Sequence, residues 1–152
     1  MQKKRKNGKK IMVAVSGGFD PIHVGHVRLF NEAKKLGDKL VVILNNDNWL
    51  TKKKGFVFMS EKERKEVIEG LRAVDKVVLT NHKKGTTDMS VCVTLKKVHP
   101  DVFANGGDRK PDGDPVPEVM LCRKMGIKMY YNIGQGGKIQ SSSWLVQKLK
   151  ER

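Results

Sequence analysis

Apolar residues fall in short unbroken runs separated by segments of helical period. Residues 11–16 (IMVAVS) are one such run, halted at Gly17 and Gly18, the pattern of a buried strand closed by a glycine turn. Val24, Val27, Leu29, Phe30, Ala33 and Leu36 then recur close to every third or fourth position, which predicts a helix over 24–36 ended by Gly37 and Asp38. Residues 39–46 (KLVVILNN) read as a second buried strand. Residues 47–58 show no period and are expected to be irregular, whereas Ser60 followed by Glu63 is a capping-box signature that opens a helix to about Arg72. A third strand is expected over 76–80, a helix over 88–98 and a short fourth strand over 101–104, running into Asn105, Gly106, Gly107 and Asp108. A glycine- and proline-rich loop, a helix near 118–125, a fifth strand over 127–133, a glycine loop and a helix over 142–150 complete the chain.

Strands alternate with helices, and the strands are continuously apolar rather than alternating. Such strands are buried on both faces, which points to a single-domain α/β fold: a doubly wound, Rossmann-like, five-stranded parallel sheet. Ligands of such sheets bind beyond the carboxyl ends of the strands, where the strand order reverses.

Composition narrows the function classes. The chain has 152 residues, 38% hydrophobic and 31% charged, which suits one globular domain. No apolar run approaches the ~20 residues of a membrane helix, and no apolar h-region follows the basic N-terminus, so a membrane or secretory role is not expected. Cys92 and Cys122 stand alone, without the spacing of a zinc site, and a reducing, cytoplasmic setting is the expectation. Lys and Arg total 31 against 16 Asp and Glu, a net charge of +15, so a polyanionic partner is expected. Six of those cations (Lys3, Lys4, Arg5, Lys6, Lys9 and Lys10) crowd residues 1–10, which read as a solvated, disordered tail. Nucleic acid could engage that tail, but aromatic content is only 6% and no aromatic run suited to base stacking occurs, so this partner is not favoured.

The chemistry concentrates in residues 17–26 (GGFDPIHVGH), between the first strand and the first helix. Gly17 and Gly18 let backbone approach a ligand, and Gly25 leaves space beside the imidazoles of His23 and His26. Those histidines lie three apart at a helix start, where both rings can face one side and free N–H groups meet an anion. Together they form a phosphate site with two imidazole donors. His82 and His99 lack this context and read as structural.

This segment resembles the H-x-G-H segment of the nucleotidylyltransferase superfamily, and the likeness extends over roughly residues 13–149. Residues 32–42 (EAKKLGDKLVV) are similar to the first helix and second strand of small cytidylyltransferases and of heptose-phosphate adenylyltransferase. Glu63 and Arg64, with residues 74–78 (VDKVV), match the third-strand region, and residues 100–108 (PDVFANGGD) resemble a PD-x-x-x-KGGD segment. Ser141, Ser142 and Ser143 stand where the family has a Ser/Thr motif. The resemblance implies a nucleotidylyltransferase domain over 11–152, acting as a homodimer. It would join NMP from CTP or ATP, with CTP favoured, to a phosphorylated or phosphonylated small-molecule acceptor, releasing pyrophosphate. A heptose-like sugar-phosphate adenylyltransferase is the alternative within the class.

The resemblance also implies roles. His23 and His26 would donate to the α- and β-phosphate oxygens, and Gly17, Gly18, Phe19 and Gly25 would line the nucleotide. Ser141, Ser142 and Ser143 would meet the β- and γ-phosphates. Lys52, Lys53 and Lys54 fall where the family keeps a phosphate-binding lysine on a mobile loop, Lys54 being the strongest candidate. Asp20 and Asp108 are candidates for ribose or, indirectly, Mg²⁺, or are turn residues; no protein metal ligand is assigned. Arg109 is a candidate for the base or acceptor. Two departures stand out. Residues 136–142 (GGKIQSS) lack the arginine, threonine and glutamate of the R-T-E-G-I-S-T segment, and Asn105 replaces the lysine of the heptose-type segment. Trp49 and Trp144 suit either packing or base stacking.

Overall fold

A computed structural model describes residues 8–106, 117–134 and 142–151. Residues 1–7, Asp108, Arg109 and Ser141, all singled out above, lie outside the described residues. The elements are β1 (Met12–Gly17), α1 (Val24–Lys34), β2 (Lys39–Leu44), α2 (Asp47–Lys54), α3 (Glu61–Glu69), β3 (Lys76–Leu79), α4 (Cys92–Val98), β4 (Val102–Gly106), α5 (Pro117–Met125), β5 (Lys128–Ile133) and α6 (Ser142–Lys150).

The five strands make one parallel sheet in the order β3-β2-β1-β4-β5. The chain builds outward from β1 to β3, then crosses to the other side of β1, so the order reverses between β1 and β4. Residue alternation divides the core in two. Val13, Val15, Leu40, Val42 and Leu44 face Phe30 and Ala33 of α1 and Ile68 of α3. Ala14, Ile43 and Phe103 face Leu95 of α4 and Cys122 of α5. Helices therefore cover both faces, as the unbroken apolar runs require. Both cysteines are free thiols. At the amino-terminal edge three carboxylates finish the ladders: Asp38 accepts from Ile11 N–H (2.7 Å), Asp75 from Leu40 N–H (2.8 Å) and Asp101 from Met12 N–H (2.9 Å). Their burden is structural, and it leaves the opposite edge for ligands.

Two elements depart from the sequence expectation. Residues 47–54, expected to be irregular, form α2. The Asn46 side chain caps its start by accepting from Trp49 N–H (3.0 Å), and Gly55 ends it with φ +84°. Conversely, the helix expected from residue 88 starts only at Cys92. Asp88 spends its carboxylate on the Ser90 N–H (3.0 Å) and hydroxyl (2.7 Å), a local turn that competes with helix. Among the described residues no helix is long and apolar enough to cross a membrane.

Candidate active site

The turn from β1 into α1 is fixed by two reciprocal bonds. His23 is the N-cap: its Nδ1 accepts from Gly25 N–H (3.0 Å), while His26 Nδ1 accepts from His23 N–H (3.2 Å). This is a capping box built from two histidines instead of a hydroxyl and a carboxylate. Its chemical consequence is a tautomer. A ring nitrogen that accepts a backbone N–H carries no proton, so each neutral imidazole carries its proton on Nε2. The rings stack with centroids 3.7 Å apart, and the Phe19 ring meets His26 edge-on at 4.8 Å. Burial pushes the His26 pKa down to about 3, with the His23 ring and the Lys54 ammonium acting in the same direction. His26 is therefore a neutral N–H donor across the physiological range.

Glycine 17 and glycine 18 serve packing more directly than ligand approach. A Cβ on Gly17 would stand 2.8 Å from the Phe19 ring, and one on Gly18 would stand 2.8 Å from Leu50 Cδ2 of α2. Phe19 itself adopts φ +50° and is buried against Phe30. Asp20 is buried, and both of its carboxylate oxygens accept backbone N–H groups, from Phe58 (2.7 Å) and Met59 (2.6 Å). It pins the segment before α3 to the histidine turn. Among the roles considered for it (ribose, indirect Mg²⁺ or a turn residue), these two bonds are those of a turn residue.

Lys54 ends α2 on the same side, with Nζ 3.5 Å from the Asp20 carbonyl oxygen. Its pKa is lowered, first by desolvation and then by Arg64 and Lys53, against the opposing pull of Asp20. Lys52 and Lys53 are exposed on the last turn of the helix. The Ser142 hydroxyl donates to the Pro21 carbonyl (2.7 Å), which seats the start of α6 against the histidine turn. Of the serine cluster, Ser142 is thus placed beside the histidines; the Ser143 and Trp144 side chains are outside the described set. Between β1 and β4, at the strand-order reversal, lies a cleft of about 250 Å³ lined by Gly17, Phe19, His26, Leu29, Asn105 and Gly106, among others. Its position is where an α/β sheet binds nucleotides. Asn105 donates to the Tyr130 carbonyl (3.2 Å), so the residue replacing the family lysine braces β4 against β5.

Arg64 is the residue whose role sequence reasoning missed. It is wholly buried on α3. Its guanidinium donates to the carbonyls of Gly18 and Asn45 (both 2.7 Å) and Met59 (2.9 Å), and pairs with Asp47 at 2.6 Å. One side chain thus joins the ends of β1 and β2, the start of α2 and the segment before α3. A signal was present: Arg64 and Ile68 are the two buried positions of α3 and lie one turn apart.

Among the described residues no three His, Cys, Asp or Glu side chains gather as metal ligands, and Asp20 is already committed. The residues described do not fit a resident metal centre. What they offer a ligand is neutral N–H donors, a lysine and a helix start.

The chain is similar to known proteins. Residues 14–129 match the model of the family described as cytidylyltransferase-like. The chain is similar to the FAD synthase of Thermococcus sibiricus, 33% identical over 147 residues that cover 94% of this chain and 95% of that one. It is also similar to the FAD synthase of Ferroglobus placidus, 40% identical over 116 residues, or 76% of this chain and 70% of that one. Among solved structures, a lipopolysaccharide core biosynthesis protein from Thermoplasma volcanium superposes with a TM-score of 0.65 at 29% identity, over 82% of this chain and 97% of that one. With its parallel sheet and paired histidines at the reversal point, the chain belongs to the cytidylyltransferase-like family of nucleotidyltransferase enzymes.

Proposed function

We propose that the protein transfers AMP from ATP to the phosphate of FMN, forming FAD and releasing pyrophosphate. The FAD synthase names of relatives matched over most of their length support this acceptor, and they favour the adenylyl alternative over the cytidylyl preference read from the sequence. The observation that carries the chemistry is the locked pair of imidazoles, each with Nδ1 turned onto backbone. In this reading an anionic oxygen of the FMN phosphate attacks the α-phosphorus in line. The bond to the bridging oxygen breaks, and its electron pair leaves with pyrophosphate. The nucleophile needs no deprotonation, so no general base is required, and positioning with charge stabilisation does the work. His23 and His26 donate Nε2–H to the oxygens that gain charge. Lys54 neutralises the phosphates, and the start of α6 at Ser142 and Ser143 meets the β- and γ-phosphates. Mg²⁺, where it accompanies the triphosphate, would neutralise part of that charge and would need few protein ligands. The same reading makes the enzyme a homodimer, which sedimentation velocity tests.

Pyrophosphate release with ATP or CTP, each against FMN, a sugar 1-phosphate and glycerol 3-phosphate, tests the reaction. ATP with FMN should give pyrophosphate and FAD in equal amounts. Faster release by any other pair, or none with ATP and FMN, contradicts it.

A further inference from the structure

A second and larger cavity, about 460 Å³, opens on the same carboxyl edge of the sheet, between the end of β3 and the start of α4. Its lining includes Asn81, His82, Lys83, Thr87, Ser90 and Val93. Its volume lies in the range of small-molecule sites, about 300–1,000 Å³, whereas the histidine cleft falls below it.

The cavity wall is built rather than loose. Thr80 Oγ1 accepts from Asn46 N–H (3.0 Å) and bonds His82 Nδ1 (2.8 Å), and His82 Nε2 bonds the Ser90 carbonyl (2.9 Å). The His82 carbonyl accepts from the side-chain amides of Asn46 (2.8 Å) and Asn48 (2.9 Å). Both His82 nitrogens are thus spent on the wall, and the lining presents the side chains of Asn81, Lys83 and Thr87 together with the Asp88 carboxylate, whose Oδ1 is taken up by Ser90. The cavity also lies one indole away from the histidine turn. Trp49 Nε1 donates to the Met89 carbonyl (2.8 Å), while its Cζ3 stands 3.4 Å from where a Cβ on Gly18 would be. Met89 sits between two cavity-lining residues, Asp88 and Ser90, and Gly18 lines the cleft.

We infer that this β3–α4 cavity holds the isoalloxazine ring of the acceptor, so that the ribityl phosphate passes Trp49 to reach Lys54 and the histidines. This rests on the FMN reading above. An isoalloxazine is a flat body with carbonyl acceptors and one imide N–H along its pyrimidine edge. Asn81 and Thr87 match both kinds of group, the Lys83 ammonium meets the carbonyls, and Val93 offers apolar surface to the ring. Binding energy from this remote part of the acceptor then positions the phosphate that reacts.

Val93→Trp fills the cavity from a half-exposed position, and Lys83→Ala removes an exposed cation without touching the core. Initial rates of FAD formation with varied FMN and varied ATP read both, with FMN fluorescence anisotropy as a direct binding measure. The expected result is an FMN KM and Kd raised tenfold or more in Val93→Trp and threefold or more in Lys83→Ala. The ATP KM should stay within twofold. An FMN KM unchanged in Lys83→Ala and in folded Val93→Trp, in a wild-type enzyme that makes FAD, overturns the cavity assignment alone. Wild-type protein that neither binds FMN nor makes FAD overturns the acceptor reading and this site with it.

Discussion

The turns after β1 and after β3 each carry a histidine held by hydrogen bonds, and the two are held to different ends. After β3, His82 uses both ring nitrogens inside the protein, on Thr80 and Ser90. After β1, His23 and His26 each give Nδ1 to a backbone N–H of their own turn, an arrangement that fixes the proton on Nε2. One ring closes a wall, and the other two cap a helix start. Residue type does not separate these cases; the partners that hold each ring do.

The contrast has its firmest support in Arg64, a buried cation that fastens the β1 turn to its surroundings, whereas the turn after β3 is held by the neutral side chains of Asn46, Asn48 and Trp49. Arg64→Ala leaves the carbonyls of Gly18, Asn45 and Met59 without their donor and should cost about 3 kcal/mol in urea unfolding, while the half-exposed Asp47 carboxylate turns to water. Lysine should not rescue it, because one ammonium cannot reach groups that the planar fork spans. A loss under about 1 kcal/mol would show that the turn stands without this anchor.

The histidines themselves come next. His26→Ala should lower kcat by about 10²–10³, the usual effect of removing one donor to a developing charge. His82→Ala should leave kcat within a few-fold and lower stability by about 1–2 kcal/mol through its lost hydrogen bonds. Equal effects of the two substitutions on turnover would erase the distinction.

A smaller effect lies in pH. His26 titrates at about 3 when folded and near 6.5 when unfolded, so between these values the unfolded chain binds the extra proton. Stability due to neutral His26 is complete above about pH 6.5 and is lost as pH falls toward 3. The slope is at most about 1.4 kcal/mol per pH unit. Urea midpoints at pH 7 and pH 5 should differ in that direction, and His26→Ala should flatten the difference. The smallest change is Ser142→Ala, which removes one hydroxyl bond to Pro21 and should cost about 0.5–1.5 kcal/mol in the same unfolding assay.

How much of this the sequence disclosed follows from what each residue answers to. The strands were legible because burial on both faces leaves runs such as residues 40–44 (LVVIL) with no polar interruption. The helix at 47–54 was hidden because its order comes from Asn46 and Gly55 at its ends, while Leu50 alone is buried. The start of α4 was misplaced because Asp88 turns onto Ser90 while Met89 and Ser90 bond to Trp49 and His82, and Trp49, forty positions away, leaves no mark in the local pattern. The histidine pair was visible as a motif, yet its tautomer needed coordinates. Asp20 stayed open between ligand and turn roles in the sequence, because its partners Phe58 and Met59 lie far along the chain. Arg64 sat among the charges of EKERKEVIE, where only its four-residue offset from Ile68 marked it as buried.

The central claim is that His26 enters the reaction as a neutral imidazole with its proton on Nε2. Nitrogen-15 NMR of the labelled imidazoles, recorded from pH 8 to pH 5 and assigned through His23→Ala and His26→Ala, reads this directly. The account predicts an unprotonated Nδ1 and a protonated Nε2 for His26 across the whole range. Titration of that ring near 6.5, or a proton found on Nδ1, would contradict it.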